Sequence, residues 1–260
     1  MRPDLVELEA FYRSRQGQLA RRLIGRQIRQ LWPDLQGRSV LGIGYAAPFL
    51  GTFEPAERVL AFLPTADGDR LPTEGCGRTA LVREDELPLP DRSVDRVLLI
   101  HAIECSANPS RILREVWRVL ADGGRLIAIV PNRRGLWCWS ERTPFGHGQP
   151  YSINQLGRSL DKLLFEVQAE RGALYLPPTG SRLLHRLAVP AERLGLTLMP
   201  HFAGVVLAEA EKRIYVGTPL AAAEPKRARS YVAVPRGLVP ARSHALALRR
   251  PAETNLPRAA

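Results

Sequence analysis

One segment constrains the fold more than any other, because it joins an amphipathic helix to a glycine pair and then to a buried strand. It runs from residue 113 to residue 126 and reads LREVWRVLADGGRL. Apolar residues recur at helical spacing from position 112 to position 120, so one helix face is apolar. Asp122, Gly123 and Gly124 are expected to close the helix. The apolar run at 126–130 is typical of a strand covered on both faces.

Other apolar runs have the length of strands and alternate with helical patterns, which indicates a parallel sheet in an α/β protein. The predicted strands are 39–43, 58–63, 79–83, 96–100 and 125–130. Residues 4–31 suit one or two helices broken near Gly17. After residue 150 the pattern predicts a helix capped by Ser152, a strand within 165–176, a helix around 181–194 and a final strand within 204–216.

The length and composition suit one well-cored domain with extensions. The chain has 260 residues, of which 45% are hydrophobic, and no run approaches the roughly 18 apolar residues of a membrane span. We therefore expect a soluble, cytoplasmic protein. Cys76, Cys105 and Cys138 are widely spaced and form no C-x-x-C pair, so the sequence supports neither a disulfide framework nor a metal site.

Much of the formal net charge of +11 lies at the C-terminus. Residues 221–260 hold eight Lys or Arg against two acids, five prolines and many alanines, without sustained periodicity. We expect this basic tail to stay disordered. It could hold an anionic partner such as a nucleic acid, and the alternative is a solvated extension. The division predicted from the sequence is a helical segment at 1–36, a core domain at 37–220 and the tail at 221–260.

The segment at 113–126 resembles the class I S-adenosylmethionine-dependent methyltransferases, and among them the type 11 methyltransferases. Their L-x-E-x-x-R-V-L-x-x-G-G-x-L segment precedes the fifth strand, and the sequence matches it at Leu113, Glu115, Arg118, Val119, Leu120, Gly123, Gly124 and Leu126. Residues 86–97 also follow the family's L-P-F-x-D-x-S-F-D-x-V run. The resemblance implies a doubly wound, Rossmann-like α/β fold that ends in an antiparallel hairpin, with S-adenosylmethionine as the cofactor.

In this family the first strand ends in an acid and a Gly-x-Gly-x-Gly loop, because the backbone approaches the methionyl part of the cofactor closely. Gly42 stands here at the place of the acid, Gly44 matches the first loop glycine, and Tyr45 follows it. Ala46 and Pro48 replace the next two glycines. The resemblance therefore implies a cofactor over Gly44 and Tyr45, in a loop whose residue pattern has diverged.

The family's second strand ends in an acid that accepts hydrogen bonds from the ribose hydroxyls, and here Leu63 takes that place. Asp67 and Asp69 are the nearest acids, and the alternative for both is a solvated turn. Losing a charged acceptor costs about 1.5–3 kcal/mol. The change is compatible with a divergent enzyme that uses another binding pose and with a pseudoenzyme.

The acid expected at the adenine is replaced by Arg83, and Glu84 or Asp85 could substitute for it through a shift of register. His101 follows the fourth strand, at the edge where open α/β sheets bind ligands. We take His101 as a candidate both for contact with the cofactor and for acid-base catalysis. The alternative is a structural histidine that hydrogen-bonds to the backbone.

The segment from residue 133 to residue 150 is predicted to be a long loop rich in glycine, proline and arginine, and long loops in compact domains often carry function. Arg133, Arg134, Trp137 and Tyr151 are candidates for binding an acidic or phosphorylated acceptor or for stacking on bases. The alternative is a solvent-facing basic turn over an apolar flap. His147 is a second candidate acid-base group, in a segment with the composition of a lid.

Three functions follow from these patterns. The first is a divergent methyltransferase with an unidentified small-molecule or macromolecular acceptor. The second is a catalytically silent protein of the same fold that serves as a scaffold or partner. The third is a nucleic-acid-binding module that uses the basic tail and the edge formed by Arg133 and Arg134.

Removal of residues 221–260 is expected to leave thermal stability nearly unchanged, because the segment has too little patterned apolar surface to offset its ordering entropy. Thermal unfolding of the truncated and the full chain tests this expectation. A fall in Tm of more than about 5 °C, or roughly 2 kcal/mol for a domain of this size, would mean that the tail packs on the core.

Overall fold

A computed structural model describes residues 3–64, 78–84, 86–179 and 188–214. Asp67, Asp69, Cys76, Asp85 and the basic tail at 221–260 lie outside the described residues. Within the described ranges, no helix is long and apolar enough to cross a membrane, and no cluster of three or more His, Cys, Asp or Glu residues could hold a metal ion. Cys105 and Cys138 carry thiols and form no disulfide.

In the part of the chain that the structure describes, seven strands form one sheet in the order β3-β2-β1-β4-β5-β7-β6. The five strands from β3 to β5 pair in parallel, and β7 pairs antiparallel with both β5 and β6. The predicted α/β fold with a C-terminal antiparallel hairpin is thereby confirmed. The strands are β1 (Ser39–Gly44), β2 (Arg58–Pro64), β3 (Thr79–Val82), β4 (Val94–Ile100), β5 (Leu120–Pro131), β6 (Phe165–Ala173) and β7 (Val205–Lys212).

Helices cover both faces of the sheet, so the central strands are apolar on both sides. Successive residues of β4 show this alternation, because Leu98 belongs to the apolar cluster on one face and Leu99 to the cluster on the other. The first cluster packs under α1 and α2, and the second packs under α3 and α4. The helices are α1 (Leu5–Arg13), α2 (Arg15–Leu31), α3 (Pro109–Val119), α4 (Ile153–Asp161) and α5 (Ala188–Leu198).

The break between the first two helices falls at Ser14, three residues before the expected position. Ser14 has extended backbone angles, and its hydroxyl accepts a hydrogen bond from the Gly17 N–H, which caps α2. Gly17 lies inside α2, where a Cβ would overlap the Phe11 carbonyl. Glycine is needed there for close packing between the two helices, and not for the break.

The junction between α3 and β5 also differs from the expected one. The helix ends at Val119, and Leu120 is already extended and pairs with Val94 of β4. The register between β4 and β5 then shifts, and pairing resumes at Arg125. Gly123 has a positive φ of 70° within the shifted stretch. The glycine pair therefore permits a bulge in a long strand and does not close the helix.

Arg118 of α3 ties the helix to the loop that precedes β4. Its guanidinium donates to the carbonyls of Leu87 and Leu89, and to the carboxylates of Asp91 and Glu115, at 2.7–3.1 Å. Glu115 in turn accepts from the Leu87 N–H at 2.9 Å. The hydrogen bond from Arg118 holds the pKa of Glu115 below its ordinary value. The Glu and Arg of the matched segment are thus explained by the anchoring of this loop.

Arg118→Ala is expected to lower the free energy of unfolding by about 1.5–3 kcal/mol, because it removes several charge-assisted hydrogen bonds from partly buried partners. Urea unfolding measures the change. The control is Arg114→Ala, an exposed position of the same helix, which should change stability by no more than about 0.5 kcal/mol. Equal effects of the two variants would contradict an anchoring role for Arg118.

Candidate functional site

The candidate site lies where the carboxyl ends of β1 and β4 meet. The chain runs from β1 outward through β2 and β3 on one side, and returns to place β4 on the other side of β1. Open α/β sheets bind their ligands at such a switch point. Gly44 pairs with Ile100 at the last position of this register, and the Tyr45 N–H donates to the Ile100 carbonyl at 2.9 Å.

The two glycines of β1 are required by packing within the protein. Gly44 has φ +86°, and a Cβ there would overlap the carbonyl oxygen of Ile100. A Cβ on Gly42, the residue at the place of the family's acid, would overlap the Cβ of Ala46. Substitution of either glycine would disturb the β1–β4 edge itself, so neither position is a clean probe of ligand binding.

A tyrosine from the N-terminal helix reaches the end of β4. The Tyr12 hydroxyl lies 2.8 Å from Nε2 of His101, and Nδ1 of His101 lies 3.4 Å from Oε1 of Glu104. The side chains of His101 and Glu104 are 0% and 1% exposed. His101 adopts a left-handed backbone conformation with φ 52°, which turns the chain sharply at the strand end. The three residues form a buried row of titratable groups.

Several polar atoms in this row are buried without a hydrogen-bond partner among the described residues. They are Nδ1 of His101 and both carboxylate oxygens of Glu104. Leaving such a group unsatisfied costs about 1–3 kcal/mol, and more for a charge. Burial, and then the negative charge of Glu104, raise the pKa of the Tyr12 hydroxyl well above its usual range. An unsatisfied buried cluster at a ligand-binding edge is typical of a functional site.

Aromatic side chains enclose this row. The Tyr12 ring stacks on Tyr45 with 5.6 Å between centroids and meets Phe49 edge-on at 5.8 Å. The His101 ring lies 4.8 Å from Phe145, which the long loop contributes. Tyr45 is 2% exposed and Phe145 is 1% exposed. The edge is therefore densely packed around its polar centre.

The ends of β2 and β3 carry no acid among the described residues at the positions that the resemblance indicates. Leu63 is buried in the core, and Pro64 ends β2. Arg83 is exposed and forms an isolated bridge with Glu86. Glu84 accepts a hydrogen bond from the Ser106 hydroxyl at 2.7 Å, which ties the end of β3 to the segment after β4.

The loop after β5 contacts the main chain of Glu104. The Gln149 N–H donates to the Glu104 carbonyl at 2.9 Å. Gly148 has φ +79°, and a Cβ there would overlap that same carbonyl. His147 lies apart from His101 in a cleft between this loop and α1, where its Nε2 contacts the Glu141 carbonyl at 3.1 Å.

The candidate acceptor-binding residues separate into two groups. Trp137 is 4% exposed, and its indole N–H donates to the Leu176 carbonyl at 2.7 Å, so it lies in the core. Arg133 and Tyr151 line an open cleft of about 420 Å³ beside α4. Arg134 is exposed and is not one of the residues that line this cleft.

Sequence analysis missed the contact of Tyr12 with His101 and the unsatisfied state of Glu104. Tyr12 and His101 are 89 positions apart, and no local pattern connects them. It also missed the polar stripe of α4, at 155, 158, 159 and 162, which lines the same cleft as Arg133. The helical spacing of that stripe could have revealed it.

Comparison with known proteins supports the fold and finds a sequence match for one segment of the chain. A family model described as a methyltransferase domain matches residues 66–128, which is less than half of the chain. That stretch contains β3, β4, α3 and the Arg118 network. None of the curated proteins matches the chain.

Solved structures of methyltransferases superpose on most of the chain. One from Thermotoga maritima has a TM-score of 0.57 and 16% identity, and the match covers 80% of this chain and 96% of that one. A methyltransferase from Haloferax volcanii, solved with the Trm112 methyltransferase activator, has a TM-score of 0.57 and 18% identity over 80% and 98%. A third from Archaeoglobus fulgidus has a TM-score of 0.51 and 19% identity over 80% and 98%.

At these identities the structural likeness establishes the fold, and the match at residues 66–128 adds a sequence correspondence at its centre. The chain therefore has the fold of these solved methyltransferases, and its residues 66–128 match the methyltransferase-domain family model.

Proposed function

We propose that the protein is a divergent S-adenosylmethionine-dependent methyltransferase whose site is the β1–β4 edge around His101 and Glu104. The observation that carries this proposal is the set of buried polar atoms at the end of β4 that lack hydrogen-bond partners among the described residues. They lie at the edge where this fold binds its ligand. A bound ligand with hydrogen-bond donors would satisfy them.

The residues present fit the methionyl end of the cofactor. That end carries an ammonium group, and the two unsatisfied oxygens of Glu104 can accept charge-assisted hydrogen bonds from it. The fit is poorer at the nucleoside end, since Leu63 and Arg83 replace the two expected acids. When bound, S-adenosylmethionine supplies an electrophilic methyl group on a sulfonium. In this protein the favourable polar contacts would be made mainly to its methionyl end.

The chain's own groups can hold a proton at the site. In the tautomer where Tyr12 donates to Nε2 of His101, the ring proton sits on Nδ1, facing Glu104. Because the Tyr12 hydroxyl occupies Nε2, a proton would reach the ring through Tyr12, which takes one proton from the acceptor and passes its own to Nε2. Such a group would serve an acceptor that must lose a proton during methyl transfer. The surrounding aromatic side chains exclude water from the row.

A second candidate is a catalytically silent partner protein of the same fold. The observation that favours it is the replacement of family acids by Gly42, Leu63 and Arg83, together with the dense aromatic packing of Tyr12 on Tyr45. The Haloferax relative was solved with an activator protein, and a protein partner for this chain is a proposal of the same kind. A nucleic-acid-binding role for the basic tail is a further alternative.

Glu104→Gln is expected to raise the free energy of unfolding of the ligand-free protein by about 1 kcal/mol or more, because it replaces a buried, unsatisfied carboxylate with a neutral amide. Urea unfolding at neutral pH measures the change. The control is Glu57→Gln, because Glu57 is exposed and precedes β2 at the amino ends of the parallel strands, away from the candidate site. This variant should have the stability of the wild type within about 0.5 kcal/mol. A loss of stability in Glu104→Gln would mean that the carboxylate is favourably paired.

The same pair of variants tests cofactor binding. S-adenosylhomocysteine should bind the wild type at one site in calorimetry, and Glu104→Gln should weaken it by about tenfold, since the charge assistance is lost. Glu57→Gln should bind like the wild type. Absence of binding to the folded wild-type protein would refute the methyltransferase proposal and favour the silent partner.

A further inference from the structure

The helix α4 has two faces of different chemistry. Leu156 and Leu160, one turn apart, are fully buried in the core. The face that lines the cleft carries Gln155, Arg158 and Ser159 at i, i+3 and i+4, and Lys162, the residue that follows the helix, continues this polar face at i+7. A polar face is ordinarily just solvated. Here it forms one wall of a concave surface.

The other wall comes from the end of β5 and the end of the long loop. Arg133 is held in place there, since its N–H donates to the Tyr151 carbonyl at 3.0 Å and its Nη2 donates to the Pro150 carbonyl at 3.2 Å. Gln149 completes this wall. The volume of the cleft, about 420 Å³, lies within the range of about 300–1,000 Å³ for small-molecule sites.

The cleft has an excess of positive charge. Arg133, Arg158 and Lys162 line it, and no residue of the lining is acidic. None of these three cations forms an ion pair within the described part of the chain. Asp161, the acid of α4, instead pairs with Arg213 at 3.2 Å. Cations that converge on a concave surface attract anions.

The polar groups of the cleft suit a phosphate. An arginine guanidinium presents a planar fork that matches phosphate oxygens, and a lysine adds a point charge. The side-chain oxygen of Gln155 accepts from the Ser152 N–H in the helix cap at 3.0 Å. Its amide NH₂ is then left to donate toward a ligand.

The cleft adjoins the buried row of the proposed methyltransferase site through Gln149. This residue lines the cleft, and its N–H donates to the Glu104 carbonyl at 2.9 Å. Tyr151 also lines the cleft, and burial, followed by the charge of Glu104, raises the pKa of its hydroxyl. A ligand in the cleft would lie beside the edge where a methyl group is transferred.

We propose that this cleft binds the phosphate group of a small-molecule methyl acceptor through Arg133, Arg158 and Lys162. The acceptor role rests on the proposed methyltransferase function, whereas the anion site itself does not. A phosphorylated or otherwise dianionic small molecule is thus the substrate class that the charges and the volume of the cleft favour.

Inorganic phosphate, titrated into the full chain at low ionic strength, is the probe. The double variant Arg158→Gln/Lys162→Gln should weaken phosphate binding by at least about tenfold, since two charged contacts are lost. The control is Arg21→Gln/Arg22→Gln, which makes the same change in net charge. Both residues are exposed on α2, which packs on the face of the sheet that α4 does not cover. That control should change affinity less than about twofold, and circular dichroism confirms that each variant is folded.

S-adenosylhomocysteine titrated into the same variants separates the two proposals. Unchanged S-adenosylhomocysteine affinity with lost phosphate affinity supports the cleft as an acceptor subsite. If phosphate binds but S-adenosylhomocysteine does not, the anion site stands and the acceptor role is overturned. If phosphate does not bind, or both double variants weaken it equally, the site is overturned. Binding of a single-stranded oligonucleotide that depends on Arg158 and Lys162, without phosphate binding, would overturn the small-molecule assignment.

Discussion

The parallel pairing of β1 with β4 is the constraint on which the site depends. Gly44 can meet the Ile100 carbonyl only because it has no side chain, and the Tyr45 N–H then hydrogen-bonds to that same carbonyl. This contact brings the turn after β1 next to His101. A larger residue at position 44 would separate the strands where the ligand-binding edge forms. Gly44 thus has a structural role at this junction of the two strands.

Short-range patterns predicted the fold well, because the relevant interactions are local or repeat along one element. The apolar face of α3, and the buried run that follows it, indicated a helix beside a central strand, and both exist. Errors arose where a glycine has more than one structural use. Gly17 serves close packing and Gly123 serves a bulge, whereas either could have ended a helix. Sequence alone does not say which backbone will approach a glycine.

The candidate site could be predicted only in part, because its central contacts join distant parts of the chain. His101 was identifiable from its place after β4. Its partner Tyr12 comes from a helix 89 positions earlier, and only the packed fold brings the two together. Likewise, Arg133 and Lys162 line the same cleft because α4 packs beside the end of β5, which no spacing in the sequence expresses.

The hydrogen bond from the Gln149 N–H to the Glu104 carbonyl has a kinetic consequence. The loop holds the main chain of the residue whose side chain the proposed ligand would contact, so the loop cannot lift without breaking its hydrogen bond to the segment after β4. A ligand that enters from this side has to wait for the bond to break. Its observed rate of association would then level off as its concentration rises, at the rate of loop opening.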